Sequence, residues 1–314
     1  MTKESPRIIY ASHLRILVIG ESPAKEGIAD VLDYLFRDHE FRNDFYIIVA
    51  KHTKAENILK VMTSLEKISS IELFHALETS ELEWAPTRKV TLNELISDLT
   101  EEGKQAVLTG IEIKGDQQAG QTEKNTQRIA PSSRLQYSGF AVFNADKLIG
   151  WLDEDDSKAY NYITNRVTRT VGQMTCPGGG VLSNEVIRSR TAVKGKQENG
   201  KPSIDVFVRI EQNVGEVACH VDLNKLQTIE EINRLTNRKV ERLIERSIET
   251  MQKKYKVDIY GFGQVIHRAE PKLWKRIGKD WDSYFVDLPV NVKVDTKTRR
   301  LGIVGNSFIE DMKK

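Results

Sequence analysis

Apolar residues along this chain fall into short continuous runs and into stripes at helical spacing, in the order strand, helix, strand. Residues 8–10 and 14–19 are apolar runs, the second closed by Gly20. Ser22-Pro23 opens a helix to about Phe36, with Ile28, Val31, Leu32 and Leu35 on one face. Residues 45–50 form the next strand. That order predicts a parallel strand pair with the helix packed on it. A second stripe, Ile58, Val61, Met62 and Leu65, predicts a helix over about residues 54–68. Thr91 and Glu94 stand at capping-box spacing and open a short helix through Leu99.

Residues 106–113 read as a strand, and residues 114–138 as an exposed polar loop whose length suggests mobility or a contact role. Residues 140–143 and 148–152 form a hairpin turning at Asn144-Ala145-Asp146. A helix capped near Asp153 then runs to about Val167. Pro177-Gly178-Gly179-Gly180 is the strongest punctuation and marks a domain boundary. Beyond it, residues 181–193 and 204–210 are strands around a turn at 195–200. Thr228 and Glu231 suggest a second capping box. A long helix follows, with Ile232, Leu235, Val240, Leu243, Ile244, Ile248, Met251 and Tyr255 as its buried stripe. Strands are expected at 257–260, 288–294 and 301–304. The fold class is α+β and multi-domain, with mixed β-sheets packed against helices and the long helix across the sheet of the C-terminal domain. The predicted domains are an α/β domain at 1–103, a middle domain at 104–176 and an α+β domain at 177–314.

Composition narrows the function classes. At 39% hydrophobic and 29% charged residues, the chain is that of a folded, well-solvated protein. Basic and acidic residues are interspersed and leave a net charge of +2, so the one-signed basic stripe of a nucleic-acid binder is missing. No apolar run reaches the roughly 20 residues needed to cross a bilayer. The two cysteines, Cys176 and Cys219, give no disulfide framework, and their spacing and context favour two independent thiols. The polar opening Met1-Thr2-Lys3-Glu4-Ser5-Pro6 does not read as a signal peptide.

Catalytic signatures are equally sparse. Gly261-Phe262-Gly263 lacks the third glycine, the Lys-Ser/Thr pair and the helix opening of a phosphate loop, and reads as a tight turn or bulge. None of the six histidines stands at metal-ligand spacing, and the adjacent Cys219 and His220 are a poor chelate, so neither a metal nor a cofactor is expected. The densest polar cluster joins Arg37, Asp38, Glu40 and Arg42. It reads first as Asp38, Glu40 and the two arginines pairing locally at the helix exit, and second as an acid/base set or an ionic partner-contact patch.

Several segments in order resemble one family, the Ger(x)C proteins, the C subunits of spore nutrient-germinant receptors. They are Ser12 through Glu21, Gly27-Ile28, Leu32 through Asp38, Glu40 with Arg42, and Val49-Ala50-Lys51. Further on come Gly139 through Phe143, Asp146 through Leu152 and Asp258 through Gly263. Trp274 and Trp281, the strand at 290–294 and Gly302 complete the set. The resemblance implies a three-domain α+β body without catalytic activity, acting as a scaffold or signalling subunit. It also implies assembly with an integral-membrane A subunit and a transporter-like B subunit. A lipid anchor such as palmitate would hold the protein on the outer face of the spore inner membrane. Family members begin with a signal peptide, a lipobox cysteine and further strands. Their absence ahead of Met1 leads one to expect an unanchored chain with an incomplete first sheet. Direct binding of a nutrient is the alternative role.

Overall fold

The computed structural model describes residues 11–66, 68–176, 179–219 and 221–300. The strands expected at 8–10 and 301–304, and Pro177-Gly178 of the glycine-rich break, lie outside them. Cα proximity divides the chain into two compact units. The first takes residues 1–78, 88–101 and 105–151, and the second takes 79–87, 102–104 and 152–314.

In chain order the first unit contains β1 (Ile16–Ile19), α1 (Glu21–Glu26), α2 (Ala29–Arg37), β2 (Tyr46–Ala50), α3 (Ala55–Lys60) and the start of α4 (Ser69–Glu83). Then come α5 (Leu92–Thr100), β3 (Val107–Gly115), α6 (Gln117–Gly120), β4 (Ser133–Asn144) and β5 (Lys147–Trp151). The five strands form one mixed sheet in the order β1-β2-β3-β4-β5. The first two pairings are parallel, as the strand–helix–strand order requires, and the last two are antiparallel. Successive residues of β2 face opposite sides. Ile47 and Val49 join Ile28, Leu32, Leu35, Leu92 and Leu95 on one face, while Ile48 and Ala50 join Ile58, Leu73 and Leu77 on the other. Helices therefore cover both faces of this sheet.

Four sequence expectations change here. The helix expected from Ser22 to Phe36 is broken at Gly27, whose φ of 134° suits only glycine, and an added Cβ would sit 2.6 Å from Asp146 Oδ2. The chain then restarts as α2, with the Ile28 amide donating to Asp146 O at 3.1 Å. Val31, expected in the core, is exposed. The helix expected over 54–68 stops at Lys60. Its presumed core residues Met62 and Leu65 are exposed, and the separate helix α4 follows. The polar segment 114–138 is not one loop. Its ends pair as β3 and β4, with Gly115 opposite Ser133, and Asn125 is buried between them. The Asn125 amide donates to Met62 O and Ser133 O and accepts the Ser133 amide, which closes the excursion on itself. The expected capping box is present, with the Thr91 side chain on the Glu94 amide and the Glu94 side chain on the Thr91 amide.

The second unit continues with α7 (Glu154–Ile163), β6 (Thr170–Thr175), β7 (Val181–Glu198), β8 (Lys201–Val217) and α8 (Leu226–Thr250). It ends with α9 (Phe262–Ala269), α10 (Pro271–Ile277), α11 (Trp281–Phe285) and β9 (Val290–Arg300). Its sheet runs β6-β7-β8-β9, antiparallel except for the parallel β8–β9 pair. The β7–β8 hairpin is longer than its apolar alternation suggested. It turns only at Asn199-Gly200, with φ values of 50° and 81°, the two-residue geometry that Asn-Gly favours.

The long helix α8 lies on this sheet as expected. It buries Ile232, Val240, Ile244 and Ile248 and makes polar contacts to β8 and β9. Asn233 accepts from Thr298 of β9 at 2.8 Å, Thr236 donates to Gln212 of β8 at 3.2 Å, and Glu241 accepts the Val294 amide at 3.0 Å. Gln212 also accepts from Asn184 of β7 and donates to Thr298 at 3.2 Å. A buried amide of β8 whose partners lie on two other strands and a helix fixes their register, because a slip would strand it. The second capping box does not form: α8 begins earlier, with Lys225 as N-cap, and Thr228 lies inside the first turn.

Cys176 and Cys219 form a disulfide, which corrects the expectation of independent thiols. β7 brings them together, since Met174 and Val217 both pair with Leu182 and each cysteine lies two residues beyond.

Candidate functional site

Arg37, Asp38, Glu40 and Arg42 fall on one exposed turn where α2 leads toward β2. Arg37 Nε donates to both carboxylate oxygens of Asp33 at 2.9 Å, one helical turn back. Arg42 pairs with Asp44 at 3.1 Å. Asp38 accepts the Glu40 amide at 2.9 Å and closes the turn. Local pairing is present, but the arginines choose Asp33 and Asp44 rather than Asp38 and Glu40. Exposed pairs of this kind contribute about 0–1 kcal/mol. Beside the turn, Leu32, Phe36, Ile96 and Leu99 line an open apolar trough of about 630 Å³ whose rim carries Arg37.

The glycines at 261 and 263 have a different setting from the one expected. Residues 257–260 are buried coil rather than strand, and Gly261, at φ 76°, caps α9. Asp258, 1% exposed, accepts the amides of Tyr260, Gly261 and Gly263 at 2.9, 3.0 and 2.8 Å, and Trp281 Nε1 at 3.0 Å. Burial pushes this carboxyl up to about 6, opposed by those donors. The amides that a phosphate loop would offer to a ligand are thus taken by the chain's own carboxylate.

The second unit holds a recess of about 420 Å³ between α7, α8 and β6, the end strand of the sheet. Trp84, Pro86, Tyr162, Val171, Val240 and Leu243 give it apolar walls. Lys158 of α7 donates to Val171 O at 3.0 Å, and its ammonium stands 5.7 Å from the Trp84 ring centre. Lys239 of α8 donates to Gln173 O. These carbonyls lie two residues apart on β6, roughly 7 Å along the strand, and hold the two ammoniums at about that spacing. Two like charges at that spacing repel by up to about 2 kcal/mol at an effective dielectric of 20, less where water screens them. Desolvation first, and Lys239 second, depress Lys158 to about 8, while Asp155 and Glu154 in the lining act in the opposite sense. No local sequence motif announced this recess, because its walls come from residues 84 to 243.

Among the described residues no three His, Cys, Asp or Glu side chains could hold a metal ion, and no helix is long and apolar enough to cross a membrane. His220 lies outside those residues.

Residues 1–113 match the family model for the spore germination protein N-terminal domain, and residues 138–302 match the one for spore germination B3/GerAC-like proteins, C-terminal. Spore germination protein KC of Bacillus subtilis is 32% identical over 311 residues, spanning 98% of this chain and 76% of its own. Spore germination protein B3 of the same organism is 23% identical, covering 95% of this chain and 76% of its own. Spore germination protein GerQC of Bacillus cereus is 20% identical, covering 96% and 78%. The crystal structure of the GerBC protein superposes with a TM-score of 0.66 at 18% identity, over 93% of this chain and 81% of that one. It thus has the same fold. With both halves matched in order and a relative at 32% identity, the chain belongs to the Ger(x)C family of spore-germination proteins.

Proposed function

We propose that this chain is a non-catalytic subunit of a spore germinant receptor, required for nutrient-triggered germination and acting as a scaffold between the receptor's other subunits. The observation that carries the reading is the similarity to spore germination protein KC over 98% of the chain. Its partners are then an integral-membrane A subunit and a transporter-like B subunit, with a lipid anchor holding the full-length protein at the spore inner membrane. The exposed turn of Arg37, Asp38, Glu40 and Arg42, with the apolar trough beside it, is the candidate contact surface. Co-purification from spore membranes tests this. The A and B subunits are expected with the tagged protein, and their absence after mild crosslinking overturns the scaffold role. A second reading, direct sensing of a small molecule, is favoured by the recess at Lys158 and Lys239.

A further inference from the structure

We infer that the recess between α7, α8 and β6 binds a small organic carboxylate, its anionic group between the Lys158 and Lys239 ammoniums and its apolar body against Trp84 and Leu243. This deepens the sensing reading by naming a ligand class, and the site stands or falls separately from that role. Three observations converge on it. First, about 420 Å³ suits a small ligand, within the range such pockets occupy. Second, neither lysine lies within 4.0 Å of a carboxylate among the described residues, although ion pairs are formed by Arg246 with Asp153, Asp155 and Asp156 nearby. The two ammoniums are instead held side by side by carbonyls of a single strand. An anion placed between them would relieve their repulsion and replace water that Lys158 has largely lost. Third, the wall opposite is apolar and partly open, with Trp84 48% and Val171 46% exposed.

Capping of free carbonyls on an end strand would account for the two lysine hydrogen bonds alone. It does not account for an apolar recess opening beside them, with a buried polar floor of Asn184 and Thr236. Glu154 and Asp155 in the lining disfavour a multiply charged anion, which selects a monocarboxylate over a phosphate ester.

The test is titration of the full chain with acetate, hexanoate, phenylacetate and indole-3-acetate at low salt, followed by calorimetry and by NMR of ¹³C-labelled lysines. Saturable binding of the carboxylates with apolar bodies is expected, with shifts at Lys158 and Lys239. The neutral analogue phenylacetamide is expected to bind at least about tenfold more weakly, and Lys158→Gln or Lys239→Gln to cost a similar factor. The inference is overturned if phenylacetamide binds as well as phenylacetate, if a folded double variant binds normally, or if no carboxylate binds more tightly than about 10 mM. The NMR arm uses the wild-type chain, so it decides the matter even if the variants misfold. Spores carrying the double variant separate the two claims. Carboxylate binding in vitro with unchanged nutrient response leaves the site standing and removes sensing.

Discussion

Removing the Cys176–Cys219 bridge should destabilise the second unit by about 4 kcal/mol. The cysteines are separated by 43 residues. In the chain-entropy description a crosslink of that span removes about 13 cal/mol/K from the unfolded ensemble, or about 4 kcal/mol at 25 °C. Both side chains are also part of a small apolar cluster with Met174, Leu182, Val214, Leu223 and Ile232. Substitution by alanine therefore adds a packing loss of about 1 kcal/mol that reduction alone does not. Urea unfolding separates these effects. At a slope of about 2 kcal/mol/M, reductant should lower the wild-type midpoint by about 2 M and leave Cys176→Ala/Cys219→Ala where it was. The reasoning is refuted if reductant leaves the wild-type midpoint unmoved, or if the unreduced, unfolded chain reacts as two free thiols.

Other outcomes follow from the buried charges. Asp258 is raised to about 6 from an ordinary 3.8, so between those values the folded chain holds a proton that the unfolded chain has released. Its contribution to stability therefore falls as pH rises from 4 to 6. The stability gap between wild type and Asp258→Asn should widen by about 2 kcal/mol on going from pH 7 to pH 4, read by denaturant melts. A gap that narrows on acidification contradicts this. Arg88 and Asp98 pair at 3.0 Å with side chains only 2% and 8% exposed. Arg88→Ala should cost about 3–5 kcal/mol, whereas Arg88→Ala with Asp98→Ala should recover part of that loss in the same melts. Arg37→Glu/Arg42→Glu should change stability by less than about 1 kcal/mol. If the exposed turn is the contact surface, that variant should still reduce co-purification of the A and B subunits, and normal recovery would move the contact elsewhere.

The legible parts of the fold were those in which local pattern and tertiary outcome agree. Residues 45–50, the Thr91–Glu94 capping box, the hairpin around Asn144-Ala145-Asp146 and the stripe of α8 all report their environment within a few residues. The misreadings share a different cause. Gly27 breaks a helix because Asp146, far along the chain, occupies the space above it. Residues 257–260 are apolar enough for a strand, yet Asp258 supplies the amides with an acceptor that a neighbouring strand would otherwise have provided. Residues 114–138 look like loop because the extended ends of β3 and β4 carry polar residues where they run past the core. The disulfide and the Lys158–Lys239 recess depend on strand register and on helices 80 residues apart, which no local spacing encodes. The Arg37 to Arg42 cluster is legible as a dense run of charges, but its arginines pair with Asp33 and Asp44, which flank that run on either side.

The claim that this chain is a working receptor subunit is tested most directly by spore germination after deletion of its gene and re-expression of the full-length protein. Deletion should abolish the response to the nutrients served by that receptor and leave germination through other receptors and non-nutrient triggers intact, with re-expression restoring it. Spores lacking the gene that respond to every nutrient at the wild-type rate would contradict the account.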